Sequence, residues 1–218
     1  MTWNWIVLLV LIGSVVLGYL LGSVNFAIII TRLFGKGDIR QYGSGNAGMT
    51  NVLRTVGKGA AALTLLGDFC KGIVSVTVLR LLFYYVLGSQ SPIWCEYLVA
   101  YAALLGHVFP VFYGFRGGKG ILVSAGAMLI LSPWSLAICV TAFLIVVALT
   151  RYVSAGSITA AVAYPLANVL VSWLDTGAID WMLAVLAIPI SLFIIFLHRA
   201  NISRLRAGTE NKISFRKK

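Results

Sequence analysis

The feature that most constrains this chain is a succession of apolar stretches, most of them long enough to cross a bilayer, joined by short polar connections. A hydrocarbon core about 30 Å thick is spanned by about 20 helical residues rising 1.5 Å each. Stretches at residues 5–34, 59–87, 92–113, 120–131, 133–150, 155–173 and 180–197 fit that reading. Inside lipid, a helix satisfies its own backbone hydrogen bonds. The expected fold is an all-α integral membrane protein with seven transmembrane helices, forming one domain over residues 1–218. With 60% hydrophobic and 11% charged residues, the chain has more apolar surface than a soluble domain of this length can bury. The fourth stretch is short, and Ser132-Pro133 separates it from the fifth, because proline removes a donor and disfavours helix at the residue before it. A single kinked helix is the alternative there. The run behind Met1-Thr-Trp-Asn-Trp5 lacks a basic flank and is too long for a signal-peptide core, so it is read as a retained first span.

Charge placement gives the orientation. The formal charge of +11 fits nucleic acid, anionic lipid or an anionic substrate equally well until its location is considered. With seven spans, fifteen of the seventeen lysines and arginines fall on one side, all except Lys71 and Arg80 within the second span. The opposite loops, near Gly88, Pro133 and Asp175, carry none. Basic loops collect in the cytoplasm, which places the N-terminus outside and the C-terminus inside. Trp3, Trp5, Trp94, Trp134, Trp173 and Trp181 then fall at the outer ends, where amphipathic rings prefer the headgroup level. Arg80 is expected to extend toward outer headgroups. Cys70, Cys95 and Cys139 have neither CxxC nor Cys/His spacing, so no metal site or disulfide framework is expected.

The inward loops hold the residues suited to chemistry. Tyr42-Gly-Ser44-Gly-Asn46-Ala-Gly-Met-Thr50-Asn51-Val-Leu-Arg54 packs glycines, hydroxyls and amides between apolar helices. Glycine lets main-chain N–H groups approach an anion, and the side chains add donors. The next inward segment, Gly106-His107-Val-Phe-Pro110-Val-Phe-Tyr-Gly-Phe-Arg116-Gly117-Gly118-Lys119-Gly120, places Lys119 where a helix begins. There the dipole and the unpaired N–H groups favour a phosphate. This is not a nucleotide P-loop, since Tyr113 replaces its first glycine and no Ser or Thr follows the lysine. Gly57-Lys58-Gly59 repeats the arrangement, which allows two helix N-termini to converge, whereas Gly35-Lys36-Gly37 reads as a helix stop. After the last span, His198, Asn201 and Arg204 lie at offsets of three and share a face if the helix continues. His107 and His198 are candidate general bases without a carboxylate partner nearby in sequence. Asp68 and Lys71, at i and i+3 inside the second span, are expected to pair with each other or line the site.

Taken together, Ser44-Gly-Asn-Ala-Gly-Met-Thr-Asn51, Gly106-His-Val-Phe-Pro-Val with Gly117-Gly-Lys-Gly120, and His198-x-x-Asn201-x-x-Arg204 resemble the bacterial acyl-phosphate-dependent glycerol-3-phosphate acyltransferase family over nearly the whole chain. Ala47 and Met49 stand where Pro and Ala are usual in that family, and Asn25 stands where Pro often follows Gly-Ser-Val. The His-to-Asp spacing of the unrelated acyl-CoA-using enzymes is missing at His107.

The resemblance implies seven membrane helices and a site facing the cytoplasm in the bacterial inner membrane. The implied reaction transfers a fatty acyl group from acyl phosphate to glycerol 3-phosphate, giving lysophosphatidic acid and phosphate, with no cofactor or metal. Ser44, Arg54 and Lys119 are the implied catalytic residues. Asn46, Thr50, Asn51, His107, Gly117, Gly118, Gly120, His198, Asn201 and Arg204 would bind substrate. Implied partners are membrane lipid and a soluble enzyme that supplies acyl phosphate, with no nucleic acid. A transporter of organic phosphates would use the same groups but needs a path to both sides, and the outer loops offer no matching donors. A non-catalytic scaffold for anionic lipid explains the basic tail but not the first glycine-rich loop.

Overall fold

The computed structural model describes residues 5–213. Trp3 and the terminal Arg216-Lys-Lys218, on which parts of the tryptophan belt and the basic tail rest, lie outside the described residues. Among the described residues all regular structure is helical. The helices gather into two compact units, one ending at Leu131 and the other beginning at Ser132.

The first unit contains α1 (Trp5–Ser23), α2 (Phe26–Leu33), α3 (Met49–Thr55), α4 (Lys58–Leu87), α5 (Ile93–Val108) and α6 (Ile121–Leu131). The stretch expected as one span over 5–34 is thus broken at Val24-Asn25. Asn25 causes the break: its Oδ1 accepts from Ile28 N at 3.1 Å and caps α2. A short amide side chain competes with the helical ladder in this way and favours caps over helix interiors. Similarly, the 92–113 stretch ends its α-helix at Val108, and Pro110 starts a 3-10 turn over Val111–Tyr113. The Gly35-Lys36-Gly37 stop is observed, with Gly35 left-handed at φ 71° and Lys36 N bonded to Thr31 O.

The helices of this unit cross through small residues. A Cβ built on Gly22 would strike the Ala103 carbonyl, and one on Gly106 the Tyr19 carbonyl, so α1 and α5 meet backbone to backbone. Gly72 and Gly126 do the same between α4 and α6, against the carbonyls of Val123 and Phe69. Lipid supplies no hydrophobic pull between helices, so close backbone packing of this kind carries much of their association. The last crossing lies near the middle of α4 but in the first turns of α6. The α6 N-terminus therefore lies well along α4 from Lys58, and the two lysine-flanked N-termini do not converge.

Arg80, whose side chain stays part-exposed, also has a partner within the protein. Its guanidinium forms a two-pronged pair with Glu96 (2.9 and 2.7 Å), and Ser91 donates to the same carboxylate at 2.6 Å. Glu96 is buried in the first turn of α5, and a buried carboxylate needs a cation more than Arg80 needs solvent.

The second unit contains α7 (Pro133–Thr150), α8 (Val153–Thr176), α9 (Trp181–Leu197) and α10 (Arg199–Arg206). Helix α7 begins at Pro133, with Ser132 non-helical ahead of it, so α6 and α7 are separate helices. Within this unit, Ser132 Oγ donates to Ser135 Oγ, Ser135 Oγ to Asn168 Oδ1, and Asn168 Nδ2 to the Leu183 carbonyl, a polar ladder joining α7, α8 and α9. Helices α9 and α10 bend by 56° at His198.

Among the described residues, five segments are long and apolar enough to cross a membrane: Trp5–Leu33, Lys58–Leu87, Ile93–Tyr113, Pro133–Thr150 and Val153–Thr176. A sixth is gained if α9 and α10 count as one span, and α6 is a shorter apolar helix. Large apolar side chains such as Leu9, Val16, Leu144 and Leu149 stand exposed along these helices. That pattern suits lipid as the surrounding solvent.

Candidate active site

The first glycine-rich loop is organised by Asn51. This buried residue accepts from Ser44 N at 3.0 Å through Oδ1, while Nδ2 donates to the carbonyls of Tyr42 (2.9 Å), Asn46 (3.1 Å) and Ile39 (3.3 Å). Both ends of its amide are thus committed to the loop. Ser44 stands exposed, and Asn46 and Thr50 are half-buried beside it. Thr50 and Arg54 lie one turn apart on α3, with Arg54 exposed. Replacing Asn51 with alanine is expected to orphan the Ser44 N–H and several carbonyls, destabilising the protein by about 1–3 kcal/mol. Denaturation of the purified variant in detergent measures this.

The second glycine-rich loop turns back on the end of α5. Gly118 N donates to the His107 carbonyl at 3.1 Å, and Gly117 N to the Val108 carbonyl at 3.0 Å. Those two amides are therefore occupied, and an anion at this loop would be met by Lys119 and by the start of α6 just beyond Gly120. Side chains are excluded at both glycines. A Cβ on Gly117 would strike the His107 carbonyl, and one on Gly118 would strike His107 Nε2 and lie 2.6 Å from the Ala47 carbonyl oxygen. Gly118 thus marks the point where the two polar loops touch. Gly120 takes φ 77°, a left-handed conformation that glycine adopts without strain, and this turns the chain into α6.

Arg40 joins the same loops from another direction. Its guanidinium pairs with Asp38 at 2.7 Å and donates to the carbonyls of Tyr113 (2.7 Å) and Arg116 (3.0 Å). Hydrogen bonding from Arg40 holds the Asp38 carboxyl below its ordinary range, against the opposing effect of burial. A groove of about 520 Å³ is lined by Asp38, Arg40, Gln41, Tyr113, Gly114 and Arg116. In the sequence Arg40 is one of the fifteen one-sided charges and nothing more. The available signal was Asp38 two residues ahead of it, a capping residue suited to both the turn and the arginine.

Beneath the loops lies a buried ionic cluster. Lys71 Nζ is 2.8 Å from Asp68 Oδ1, so the expected pair forms. The same ammonium reaches the carbonyls of Gly22 (2.9 Å) and Val24 (2.7 Å) at the break between α1 and α2, and His107 Nδ1 at 2.9 Å. Asp68 Oδ1 lies 3.6 Å from the same ring nitrogen, too far for a hydrogen bond, so Lys71 stands between the carboxylate and His107.

In the second unit, His198 sits at the α9–α10 bend with Nδ1 2.8 Å from the Ile194 carbonyl. Asn201 and Arg204 are gathered by Glu210, which sequence reasoning missed. Its Oε1 accepts from Asn201 Nδ2 (2.7 Å) and Ser154 Oγ (2.9 Å), and its Oε2 from Arg204 Nε (2.6 Å). Burial opposes ionisation of Glu210, but these bonds outweigh it and hold the carboxyl below its usual value. Ile213 N bonds to the Arg151 carbonyl at 2.8 Å, so the tail returns to the α7–α8 connection. A lone carboxylate in a basic tail was the signal.

No group of three or more His, Cys, Asp or Glu side chains able to hold a metal occurs among the described residues. What the first unit offers chemically is basic side chains and a helix N-terminus, groups suited to an anion, beside two glycine loops.

Comparison with known proteins bears on this arrangement. Residues 12–208 match the family model described as glycerol-3-phosphate acyltransferase. A glycerol-3-phosphate acyltransferase of Neisseria meningitidis serogroup C is 43% identical over 202 residues, covering 93% of this chain and 96% of the relative. One from Thioalkalivibrio sulfidiphilus is 45% identical over 206 residues, 94% and 95% of the two chains. Among solved structures, the integral membrane glycerol 3-phosphate acyltransferase PlsY (YgiH) in its glycerol 3-phosphate form aligns with a TM-score of 0.79 at 35% identity. That alignment covers 94% of this chain and 96% of the other. Its lysophosphatidic acid form aligns with a TM-score of 0.77 at the same identity.

Proposed function

The chain belongs to the glycerol-3-phosphate acyltransferase family, and from that membership we propose that it moves a fatty acyl group from acyl phosphate to the 1-hydroxyl of glycerol 3-phosphate. The products are lysophosphatidic acid and inorganic phosphate, in the first step of phospholipid synthesis. The observation that carries this reading is the contact of the two glycine-rich loops at Gly118, which brings Lys119 and the α6 N-terminus to the loop that holds Ser44 and Asn46. Both substrates are phosphates, and one bears a chain best left in lipid.

The hydroxyl oxygen of glycerol 3-phosphate bonds to the acyl carbon, and the bond from that carbon to the phosphate oxygen breaks. Phosphate leaves with the electron pair, and the hydroxyl proton passes to a phosphate oxygen. Such a mixed anhydride already has a good leaving group, so positioning and charge stabilisation suffice without an acyl-enzyme. Lys119 and Arg54 hold phosphate oxygens, with Gly117, Gly118 and Gly120 shaping the loop. Ser44, Asn46 and Thr50 donate to substrate, and Asn51 keeps their loop in shape. His198, Asn201 and Arg204 are assigned to recognition of glycerol 3-phosphate.

The protein works as a seven-span enzyme of the bacterial inner membrane, N-terminus outside, with its site facing the cytoplasm. One-sided placement of the basic residues supports that orientation. A soluble enzyme that forms acyl phosphates supplies the donor.

Purified protein incubated with glycerol 3-phosphate and, in separate reactions, acyl phosphate, acyl-CoA or acyl-carrier protein is expected to yield product from acyl phosphate alone. Added chelator should leave the rate unchanged. Product from a thioester donor, or an acyl group trapped on Ser44, would refute the mechanism.

A further inference from the structure

The cluster beneath the loops contains three ionisable groups that the proposed reaction does not use, and its geometry fixes how one of them is protonated. Lys71 Nζ is enclosed by the Asp68 carboxylate and by the carbonyl oxygens of Gly22 and Val24. An amine held by a carboxylate and two carbonyls is an ammonium, which has protons to give and no lone pair to receive one. His107 Nδ1, 2.9 Å away, must then be the unprotonated ring nitrogen, and the proton of the neutral ring lies on Nε2. That atom faces Gly118, where the second glycine-rich loop passes over the Ala47 carbonyl of the first.

His198 has the opposite arrangement. Its Nδ1 is 2.8 Å from a backbone carbonyl, that of Ile194, so there Nδ1 carries the proton. The two histidines of the chain therefore differ at Nδ1, which is bare in His107 and protonated in His198.

We propose that Lys71 and His107 are positioning residues for the reaction: the buried ammonium holds His107 as the Nε2–H tautomer, and that ring seats the Gly117-Gly-Lys-Gly120 loop against the first loop so that Lys119 meets the substrate phosphate. Neither residue touches the reacting atoms. The link runs from the α1–α2 break through Lys71 and His107 to Gly118, each contact within the first unit. The effect on turnover rests on the acyltransferase reading, whereas the tautomer is measured independently of it.

The test combines nitrogen-15 NMR of the histidine rings in the full chain, purified in detergent, with steady-state kinetics. At neutral pH the spectrum should show one Nε2–H and one Nδ1–H imidazole, and the Nε2–H signal should vanish in His107→Gln. The glutamine amide reaches the place of Nε2 and the asparagine amide that of Nδ1. His107→Gln should thus retain kcat/KM within about 10-fold, while His107→Asn falls by about 100-fold, the scale of a misplacement near 1 Å. Lys71→Met leaves Asp68 buried without a cation, so the double variant Asp68→Asn/Lys71→Met provides a charge-neutral partner. In it His107 should populate the Nδ1–H form and KM for acyl phosphate should rise about 10-fold or more. An Nδ1–H or doubly protonated His107 in the native protein overturns the proposal. So does equal loss in the glutamine and asparagine variants, or an unchanged tautomer in the double variant. A native protein that shows both tautomers yet transfers no acyl group would instead sink the reading of its activity.

Discussion

Replacing Lys119 with alanine is expected to lower kcat/KM for acyl transfer by about 10²–10³-fold, the loss typical of removing one preorganised group that stabilises developing charge. The structure sharpens the reason. A glycine-rich loop would ordinarily be thought to hold phosphate through its amides, but the amides of Gly117 and Gly118 are already bonded to the carbonyls of Val108 and His107 respectively. The positive end at this loop then consists of the Lys119 side chain and the first turn of α6. Removal of that ammonium is therefore expected to be costly. Lys119→Arg keeps the charge but not the compact ammonium, so a partial recovery of rate is expected from it. Kinetics with both substrates varied would check this, and an alanine variant with native turnover and native KM values would remove the phosphate role of the loop.

The second large effect is expected from a single added methyl group. Gly118→Ala places a carbon against His107 Nε2 and the Ala47 carbonyl oxygen, neither of them the loose end of a flexible chain. The loops must separate to admit it. Activity should fall by about 100-fold or more through misplacement of Lys119, and stability by about 1–3 kcal/mol, as for other overpacked sites. Gly13→Ala is the matched control: Gly13 is an exposed glycine inside α1 with nothing within 4 Å of its added Cβ. There alanine should be neutral or should stabilise by up to about 1 kcal/mol through helix propensity. Equal behaviour of the two variants would mean that the loop contact at Gly118 does not govern the site.

The apolar stretches were legible in the sequence because lipid permits so few backbone solutions. The polar loops were legible because glycines and amides gather there without a packing reason. Apart from the Asp68–Lys71 pair, what could not be read was the partner of each polar group. Asn25 interrupts a run that is apolar on both sides, and its helix break is completed by Lys71, a residue of another helix. Sequence spacing likewise left His107 without a partner, since Lys71 reaches it only through the packing of α4 against α5. Asn51 looked like a ligand because its type suits one, yet its amide is consumed by four backbone groups of its own loop. Glu210 is a lone carboxylate in a basic tail, and only the fold brings Asn201 and Arg204 onto it.

The broken first helix also has a consequence for how the chain is made. The carbonyls of Gly22 and Val24 find their cation in Lys71, which follows Gly22 by 49 residues. At synthesis rates of about 5–20 residues per second, roughly 2–10 s separate the two. During that interval the first span has two backbone oxygens without their final partner, a costly state in hydrocarbon. The nascent segment is therefore expected to stay beside the insertion machinery, or in contact with water, until α4 arrives. The first two spans would then enter the bilayer as a pair.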